Sequence, residues 1–525
     1  MKPEKQDLIK LAPQSYWIES AKNMIHEYPT LSEDIKTDVL VVGGGIAGIT
    51  SAYLLGREGL SVTILESDRI ACGTTGHTTA KITSQHGLIY HRLLDQMGRE
   101  IAGQYAEANE TAIKEIQALT ETLKIDCDLT SQSAFIFTES DEYIQELQDE
   151  TEAAGKLGIK AAYVDELPLP FAVKGAVRFA GQAQFHPLKY TFSLAKAFSD
   201  AGGRIFEKSR AVEVNYDNGY SVVTAQGYKV TAENLIIASH YPFYNKHGMY
   251  FTRIYQERSY VTAIKASESF PGGMYINAEQ PTRSLRSQNS GSDELILVGG
   301  EHHKAGQCEN TWEKYGNLFD FASPIFSITG IPYRWSTQDC MTLDRLPYVG
   351  NFTDDTSNLY IVTGFGKWGM TNSMASGMLL RDLITKGDSP WKDAYNPSRE
   401  TKAASAVSFV TENLNVAKSL IGGKLESHAK AEDIELAAGE GRVVELNGKR
   451  AGAFKNGDGI MYVVNTTCTH MGCELNWNTA ERTWDCPCHG SRFSHEGKII
   501  EGPAVKELNM DEDVNPVRKL LKEDF

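Results

Sequence analysis

The sequence predicts an α/β domain of the Rossmann type at the N-terminal end and a small all-β domain at the C-terminal end. Three observations predict it. First, the apolar run Val39-Leu-Val-Val42 leads into Gly43-Gly-Gly45-Ile46-Ala47-Gly48, then a helix-like stretch to about Gly56, then a second run, Ser61-Val-Thr-Ile-Leu65, ending at Glu66. This is the strand, turn, helix and strand order in which a G-x-G-x-x-G pattern has physical meaning. Second, beyond Gly387 an amphipathic stretch places Val407, Val410, Leu414 and Ile421 near helical spacing and stops at Gly422-Gly423, as a connecting helix would. Third, from about Glu426 the pattern changes to short β-like runs with turn signals at Asn447-Gly448 and Asn456-Gly-Asp-Gly459.

At roughly 100 to 200 residues per domain, 525 residues point to about three folding units. With 41% apolar and 23% charged residues, disorder and fibrous repeats are excluded. Sixty-eight acidic against 52 basic side chains give a formal charge of −16 and no dense Lys/Arg block, so a phosphate backbone would be repelled and no nucleic-acid partner is expected. Small molecules or proteins are the expected partners. Residues 1–35 read as an N-terminal arm of mixed charge with no apolar h-region, so no export signal is expected. The longest apolar stretch, Val39 to Leu55, is interrupted by three consecutive glycines and several hydroxyl residues; it reads as strand, turn and helix, and no membrane span is expected. Cys72, Cys127, Cys308 and Cys340 are scattered, which suits a cytoplasmic home, whereas the other four cysteines crowd between 468 and 488 and mark a site.

In the first turn, Gly43 permits the tight bend, Gly45 lets the backbone approach a pyrophosphate, and Gly48 lets helix and strand pack closely. The helix N-terminus at Ile46 and Ala47 offers N–H donors to phosphates, and Glu66 is placed to accept ribose hydroxyls. These residues do not choose between NAD and FAD. Further on, Glu233-Asn-Leu-Ile-Ile-Ala-Ser-His240 reads as another buried strand running into a turn, and Asn358 to Met370 as strand, Gly-rich turn and helix. Together with Thr342-Leu-Asp-Arg-Leu-Pro-Tyr-Val-Gly350, these segments resemble the glycine oxidase, sarcosine oxidase and D-amino-acid oxidase superfamily of FAD enzymes over about residues 36–385. The resemblance implies an α/β FAD-binding Rossmann-type domain in segments of about 36–90, 175–250 and 335–385. It also implies an α+β substrate domain from about 91–174 and 251–334, with a helical linker over 386–425.

The resemblance also implies roles. Gly364, Gly366, Gly369 and Met370 would lie beside the flavin ring, with Lys367 either balancing charge on reduced flavin or standing as a solvated loop lysine. Ala71-Cys-Gly-Thr74-Thr75-Gly-His77-Thr-Thr-Ala80 resembles the loop passing the flavin edge and is similar to the G-[ST]-T-W-H segment of dimethylglycine and sarcosine dehydrogenases. Here Gly76 stands in the tryptophan position; His77 touching a non-covalent flavin is the favoured reading, with covalent attachment through His77, or less readily Cys72, as the alternative. Where glycine oxidase has its carboxylate-binding arginine, this chain has Asp339, which attracts an ammonium group and points to an amine, as in the γ-glutamylputrescine oxidase branch. Leu295 to Gln307 resembles the sarcosine oxidase run ending in H-x-x-G-Q and matches His303 to an active-site histidine. Gly299 occupies the position of the lysine that helps those oxidases react with oxygen, so electrons are expected to leave by another route.

Cys468-Thr-His470-Met-Gly-Cys473 and Cys486-Pro-Cys488-His489-Gly-Ser491 put two thiolates and two imidazoles in two loops, and C-x-H with C-x-x-H is not zinc-finger spacing. The set resembles a Rieske [2Fe-2S] domain over 426–525, with Cys468 and Cys486 on one iron and His470 and His489 on the other. The resemblance to cytochrome bc-type Rieske proteins implies a Cys473–Cys488 disulfide, a donor to a bridging sulfide in Ser491, and a shielding loop at Gly502-Pro503. Phe493 replaces a tyrosine donor, which implies a lower potential than in respiratory relatives. His86 and His91 have the spacing of two mononuclear-iron ligands, but Thr83 stands where the acidic partner would be, and no such iron is expected.

The expected function is that of a dehydrogenase oxidising an amine, amino acid or N-methylated amine at C–N, with electrons passed singly through the chain's own Rieske cluster to an external acceptor. A reductase drawing electrons from a protein donor and a non-catalytic redox sensor are the alternatives.

Overall fold

The computed structural model describes residues 4–244, 246–399, 403–425, 428–431 and 434–508; the expected end of the Rieske domain, 509–525, and the side chain of Val407 lie outside the described residues. Five strands run parallel in the spatial order Arg204–Phe206, Val62–Leu65, Ile35–Val42, Lys229–Ile237, Leu359–Thr363, which by chain position is 3-2-1-4-5. This is a Rossmann-type strand order, with helices on one face and the antiparallel strands Ala211–Tyr216 and Tyr220–Thr224 on the other, and ligands bind outside the carboxyl ends of such parallel strands. Tyr348–Asn351 adds an antiparallel edge. Val39 to Val42 is buried on both faces, which explains an unbroken apolar run where an exposed sheet would alternate. Helix Ile46–Arg57 is buried from Ile46 to Leu55 between two other helices, Pro187–Asp200 and Gly369–Lys386. Small residues allow that approach: a Cβ on Gly56 would lie 3.6 Å from Phe198, and one on Gly377 3.0 Å from Thr50 Cγ2.

A second, mixed sheet of nine strands follows the order Ile328–Thr342, Ile254–Ala266, Asp293–Lys304, Arg283–Ser290, Met274–Asn277, Thr130–Thr138, Gly175–Gln184, Lys81–Ile82, with Ala161–Val164 also on Gly175–Gln184. Its long strands and its helices Tyr90–Thr122, Ile144–Lys156 and Thr311–Ala322 give the α+β part of the molecule. Two expected boundaries shift. Gly175–Gln184 pairs antiparallel with Thr130–Thr138, and Ile328–Thr342 pairs antiparallel with Ile254–Ala266. Both therefore belong to the second sheet, although the sequence assigned 175–184 and 335–342 to FAD-binding segments; their pairing partners are strands of that sheet and none of the five parallel strands. The N-terminal arm is threaded along this sheet: Gln14 N donates to Arg334 O at 2.8 Å, and fully buried Trp17 donates its Nε1 proton to Thr78 O at 2.7 Å.

After helix Ala403–Leu425 come two small antiparallel sheets, Gly441–Leu446 with Lys449–Lys455 and Met461–Asn465, then Asn476–Asn478 with Thr483–Asp485, Arg492–Ser494 and Ile499–Glu501. Asn447 and Gly448 close the first hairpin with φ of +52° and +72°, the double left-handed turn their sequence favours. Val464, Leu475, Trp484, Phe493 and Leu508 form the core of this unit. No helix among the described residues is long and apolar enough to cross a membrane.

Candidate active site and metal centre

The glycine turn has the geometry its pattern demands. Gly43 adopts φ +117° and a Cβ there would collide with Ala238 O, while one on Gly48 would collide with Gly43 O. Gly45 caps the helix, and a Cβ on it would meet only Thr75 Oγ1, at 3.5 Å, so this backbone is open to a close-approaching phosphate. Thr75 Oγ1 accepts from Ile46 N at 3.1 Å, which ties the loop Thr74–His77 to the helix N-terminus. Glu66 turns towards the same turn, accepting from Gly44 N at 2.7 Å through Oε2, and from Ser67 Oγ and Asp68 N, each at 2.9 Å, through Oε1. Gly364, Gly366 and Gly369 repeat the spacing of the first turn at the carboxyl end of the strand Leu359–Thr363 and open the helix that begins at Gly369, where Met370 is buried. Cradle, acid and helix N-terminus fit a dinucleotide.

Lys367 sits in that second turn with φ +78° and pairs with Glu257 at 2.7 Å. Burial would raise the Glu257 carboxyl, but Lys367 outweighs it, helped by His302 and Arg345, and holds Glu257 below the usual carboxylate range. Glu257 is the register partner of Asp339. Burial pushes Asp339 up to about 7; Lys367 pulls it back, and Glu257 and Glu501 oppose that pull. His302 completes the group: burial and Lys367 lower its pKa, with Glu257 acting the other way. The structure thus brings Asp339 and Lys367 together with Glu257 and His302, two residues that no motif had marked. Lys81 is a third unmarked group, buried, donating to Thr79 Oγ1 at 3.1 Å, and pushed down to about 7 by burial and by Arg286.

His303 lies elsewhere. It is the register partner of Arg258, while Asp339 partners Glu257, so the two occupy opposite faces of the sheet. Its Nε2 meets Tyr260 OH at 2.9 Å and its Nδ1 meets Lys304 O at 2.7 Å; burial holds it near 4. Of the three catalytic candidates, this one-residue parity sets His303 apart from Asp339 and Lys367. His77 is half-buried, with Nδ1 2.8 Å from Gly73 O, and Cys72 is pushed up to about 11, chiefly by burial. His86 is locked between Tyr105 OH at 2.6 Å and Thr83 O at 2.7 Å, whereas His91 is exposed, so the pair does not converge on a metal.

In the C-terminal unit Cys473 and Cys488 form a disulfide. Cys486 Sγ lies within 4.8 Å of both, but with those two sulfurs bonded to each other the free soft donors are Cys468 and Cys486, which interact through their thiols. The rings of His470 and His489 stand perpendicular, 5.1 Å apart, and both ring nitrogens of buried His489 lack a protein partner. A buried imidazole with no acceptor or donor is costly unless something else binds it, so the donor set fits an iron-sulfur cluster with two sulfur and two nitrogen ligands. Ser491 Oγ borders the Cys468 thiol and accepts from Ala504 N at 3.1 Å.

This unit is docked on the His303 face of the second sheet. Arg258, fully buried, spans to Asp485 and Glu501 at 3.5 Å each, and Arg334 reaches Ala480 O at 3.2 Å and Glu481 at 3.7 Å. Gln307 Nε2 donates to Pro487 O at 2.9 Å, so the segment that resembles the H-x-x-G-Q run contacts a cluster loop.

The comparisons agree with this architecture. The model of the FAD dependent oxidoreductase family matches residues 38–383, and that of the Rieske [2Fe-2S] domain matches 427–514. The chain is 41% identical over 504 residues, 96% of its length and 98% of the relative's, to the putative Rieske 2Fe-2S iron-sulfur protein YhfW of Bacillus subtilis. It is 26% identical over 410 residues to the gamma-glutamylputrescine oxidoreductase of Escherichia coli, covering 73% of this chain and 91% of that one. The crystal structure of glycine oxidase from Geobacillus kaustophilus matches its fold with a TM-score of 0.60 at 17% identity, over 70% of this chain and all of that one. FAD and a [2Fe-2S] cluster are the cofactors these domains carry. The chain belongs to the FAD dependent oxidoreductase family and bears a C-terminal Rieske [2Fe-2S] domain.

Proposed function

We propose that the protein is a dehydrogenase oxidising an amine, amino acid or N-methylated amine at the C–N bond, and passing the electrons singly through its own cluster to an external one-electron acceptor. Bound FAD supplies a two-electron hydride acceptor and the cluster supplies single-electron transfer. The observation that carries the reading is the placement of Gln338 and Asp339, adjacent on one strand: Asp339 belongs to an acidic group beside the second glycine turn, while Gln338 bonds a cluster loop. An organic step on one side of the strand and an electron exit on the other need no moving carrier.

The chain's residues would act as follows. With Glu257 neutralised by Lys367, an ionised Asp339 leaves one net negative charge to attract an ammonium group, and its raised pKa lets it hold a proton at Oδ when no cation is present. Transfer of an ammonium proton to Asp339 Oδ would free the nitrogen lone pair for oxidation. Gly299 leaves no cation at its position; a Cβ there would lie 2.9 Å from Ser284 Oγ. The test is steady-state kinetics with matched amines and neutral analogues. Asp339→Asn is expected to raise KM for the ammonium substrate about tenfold, the factor that about 1.4 kcal/mol carries, with little change for a neutral analogue; equal effects on both would contradict the assigned role.

A further inference from the structure

We propose that Gln338 is a positioning residue for internal electron transfer: it clamps the cluster loop to the flavin-side loop, so that transfer runs at one fixed, docked geometry. The proposal rests on the dehydrogenase reading in requiring that flavin and cluster exchange electrons at all, but on no particular substrate. Three bonds meet at this residue. Its backbone O accepts from Thr74 Oγ1 at 3.3 Å, its Nε2 donates to Gly490 O at 2.8 Å, and its Oε1 accepts from Arg258 Nη2 at 2.8 Å. Thr74 precedes Thr75, which accepts from the dinucleotide-binding helix at Ile46 N, and Gly490 follows the ligand His489. One residue therefore joins the nucleotide turn to the cluster loop in a few bonds.

The fit around Gly490 is close. This glycine has φ +74°, and a Cβ on it would lie 2.6 Å from Gln256 Cγ and 2.7 Å from Gln338 Nε2, so the loop leaves no space for sliding. His489 is 2% exposed, and its ring faces Tyr241 at 6.3 Å and Phe251 at 6.1 Å, both in the segment that leaves the carboxyl end of the parallel strand Lys229–Ile237. His240, one residue before Tyr241, accepts through its O from Thr363 Oγ1 at 2.5 Å, at the end of the strand that opens the second glycine turn. His489 is thus the inward ligand, while His470 is only half-buried beside exposed Met471. Arg258, clamped by Gln338 and Ser336 on one side and by Asp485 and Glu501 on the other, fixes the same arrangement. The electron balance is simple. Each passage moves one electron inward-to-outward through the cluster to a one-electron acceptor, and two passages with release of two protons to solvent balance one substrate oxidation.

The test uses the full chain loaded with FAD and cluster. Flavin is reduced by a light flash with a sacrificial donor, so no substrate is needed, and the appearance of the reduced cluster is followed by its optical and paramagnetic signals. Gln338→Glu keeps the acceptor for Arg258 but sets a carboxylate oxygen against Gly490 O; Gln338→Leu removes both side-chain bonds. In both variants flavin and cluster content are expected to be retained while internal transfer slows about tenfold, the factor carried by about 1.4 kcal/mol. Slowed transfer with an intact cluster signal supports the clamp, because a merely structural role would lower cofactor content and leave the rate of the loaded fraction unchanged. Unchanged transfer in loaded variants overturns it. Wild type gives a second measurement that survives a variant's failure to fold: fixed docking predicts a transfer rate independent of solvent viscosity, and a rate that falls with added sucrose overturns the proposal. If wild-type flavin and cluster never exchange electrons, the dehydrogenase reading fails first, and that outcome is distinct from the others.

Discussion

At the scale of single residues, Asp339 gives the most specific expectation. Its carboxyl is raised to about 7 in the folded chain by burial, against about 3.9 in an unfolded one. The folded state therefore holds an extra proton between these values, so stability declines as pH rises from about 4 to about 7 and levels off above. Thermal unfolding across that window is expected to show this decline, and Asp339→Asn to flatten it. The same residue sets activity: kcat/KM for an ammonium substrate is expected to rise through an apparent pKa near 7 and to lose that limb in Asp339→Asn. Gly48→Ala tests the nucleotide turn, because its Cβ collides with Gly43 O; loss of bound FAD, read by absorbance, is the expected result. The glycine turns and the cysteine-histidine loops of the two domains were legible because each carries a chemical requirement in its own residue types, and the role of Asp339 is the proposal these experiments test. Glu257 and His302 were not, because their placement depends on register: His302 and His303 differ by one position and face opposite ways.

At the scale of elements, the parallel strands were legible and the second sheet was not, for one physical reason. Val39–Val42 is buried on both faces, under helices at Val39 and Val41 and under the strands Ala211–Tyr216 and Tyr220–Thr224 at Leu40 and Val42, so its residues are uniformly apolar. Ile254–Ala266 and Ile328–Thr342 bury Gln256, Arg258, Arg334, Ser336 and Gln338 instead, because one face meets the docked Rieske unit and its acids. A strand that buries polar residues against another domain loses the alternation by which strands are read. The energetic weight of that face is testable. Arg258→Met leaves Asp485 and Glu501 with Arg492 alone, 3.6 Å from each, so the cost is expected to stay below the about 3–5 kcal/mol of a buried pair that loses its one partner. Denaturant unfolding followed at the cluster absorbance is expected to shift accordingly, with faster proteolysis in the linker helix. Replacing Cys473 and Cys488 by alanine together opens a crosslink of sequence separation 15, worth about 3 kcal/mol, and is expected to destabilise the cluster signal ahead of the flavin signal on heating.

At the scale of the whole molecule, two modules of known type are joined through a buried, charged junction that neither shows alone. The sequence named both modules, since glycine turns and cysteine-histidine loops are local, but not their contact, which is built from residues more than 200 positions apart such as Arg258 and Glu501. On the proposed function, that contact would give a flavin oxidoreductase with a glycine at position 299 its own one-electron outlet. The most direct test of this account is an anaerobic titration of the full chain with amines, N-methyl amino acids and ordinary amino acids, following flavin absorbance and the Rieske paramagnetic signal together. The account predicts that one ammonium-bearing class bleaches the flavin and that the reduced-cluster signal then rises in the same molecules. A cluster that is filled first by a reduced protein donor, while no member of the panel reduces the flavin, would contradict it.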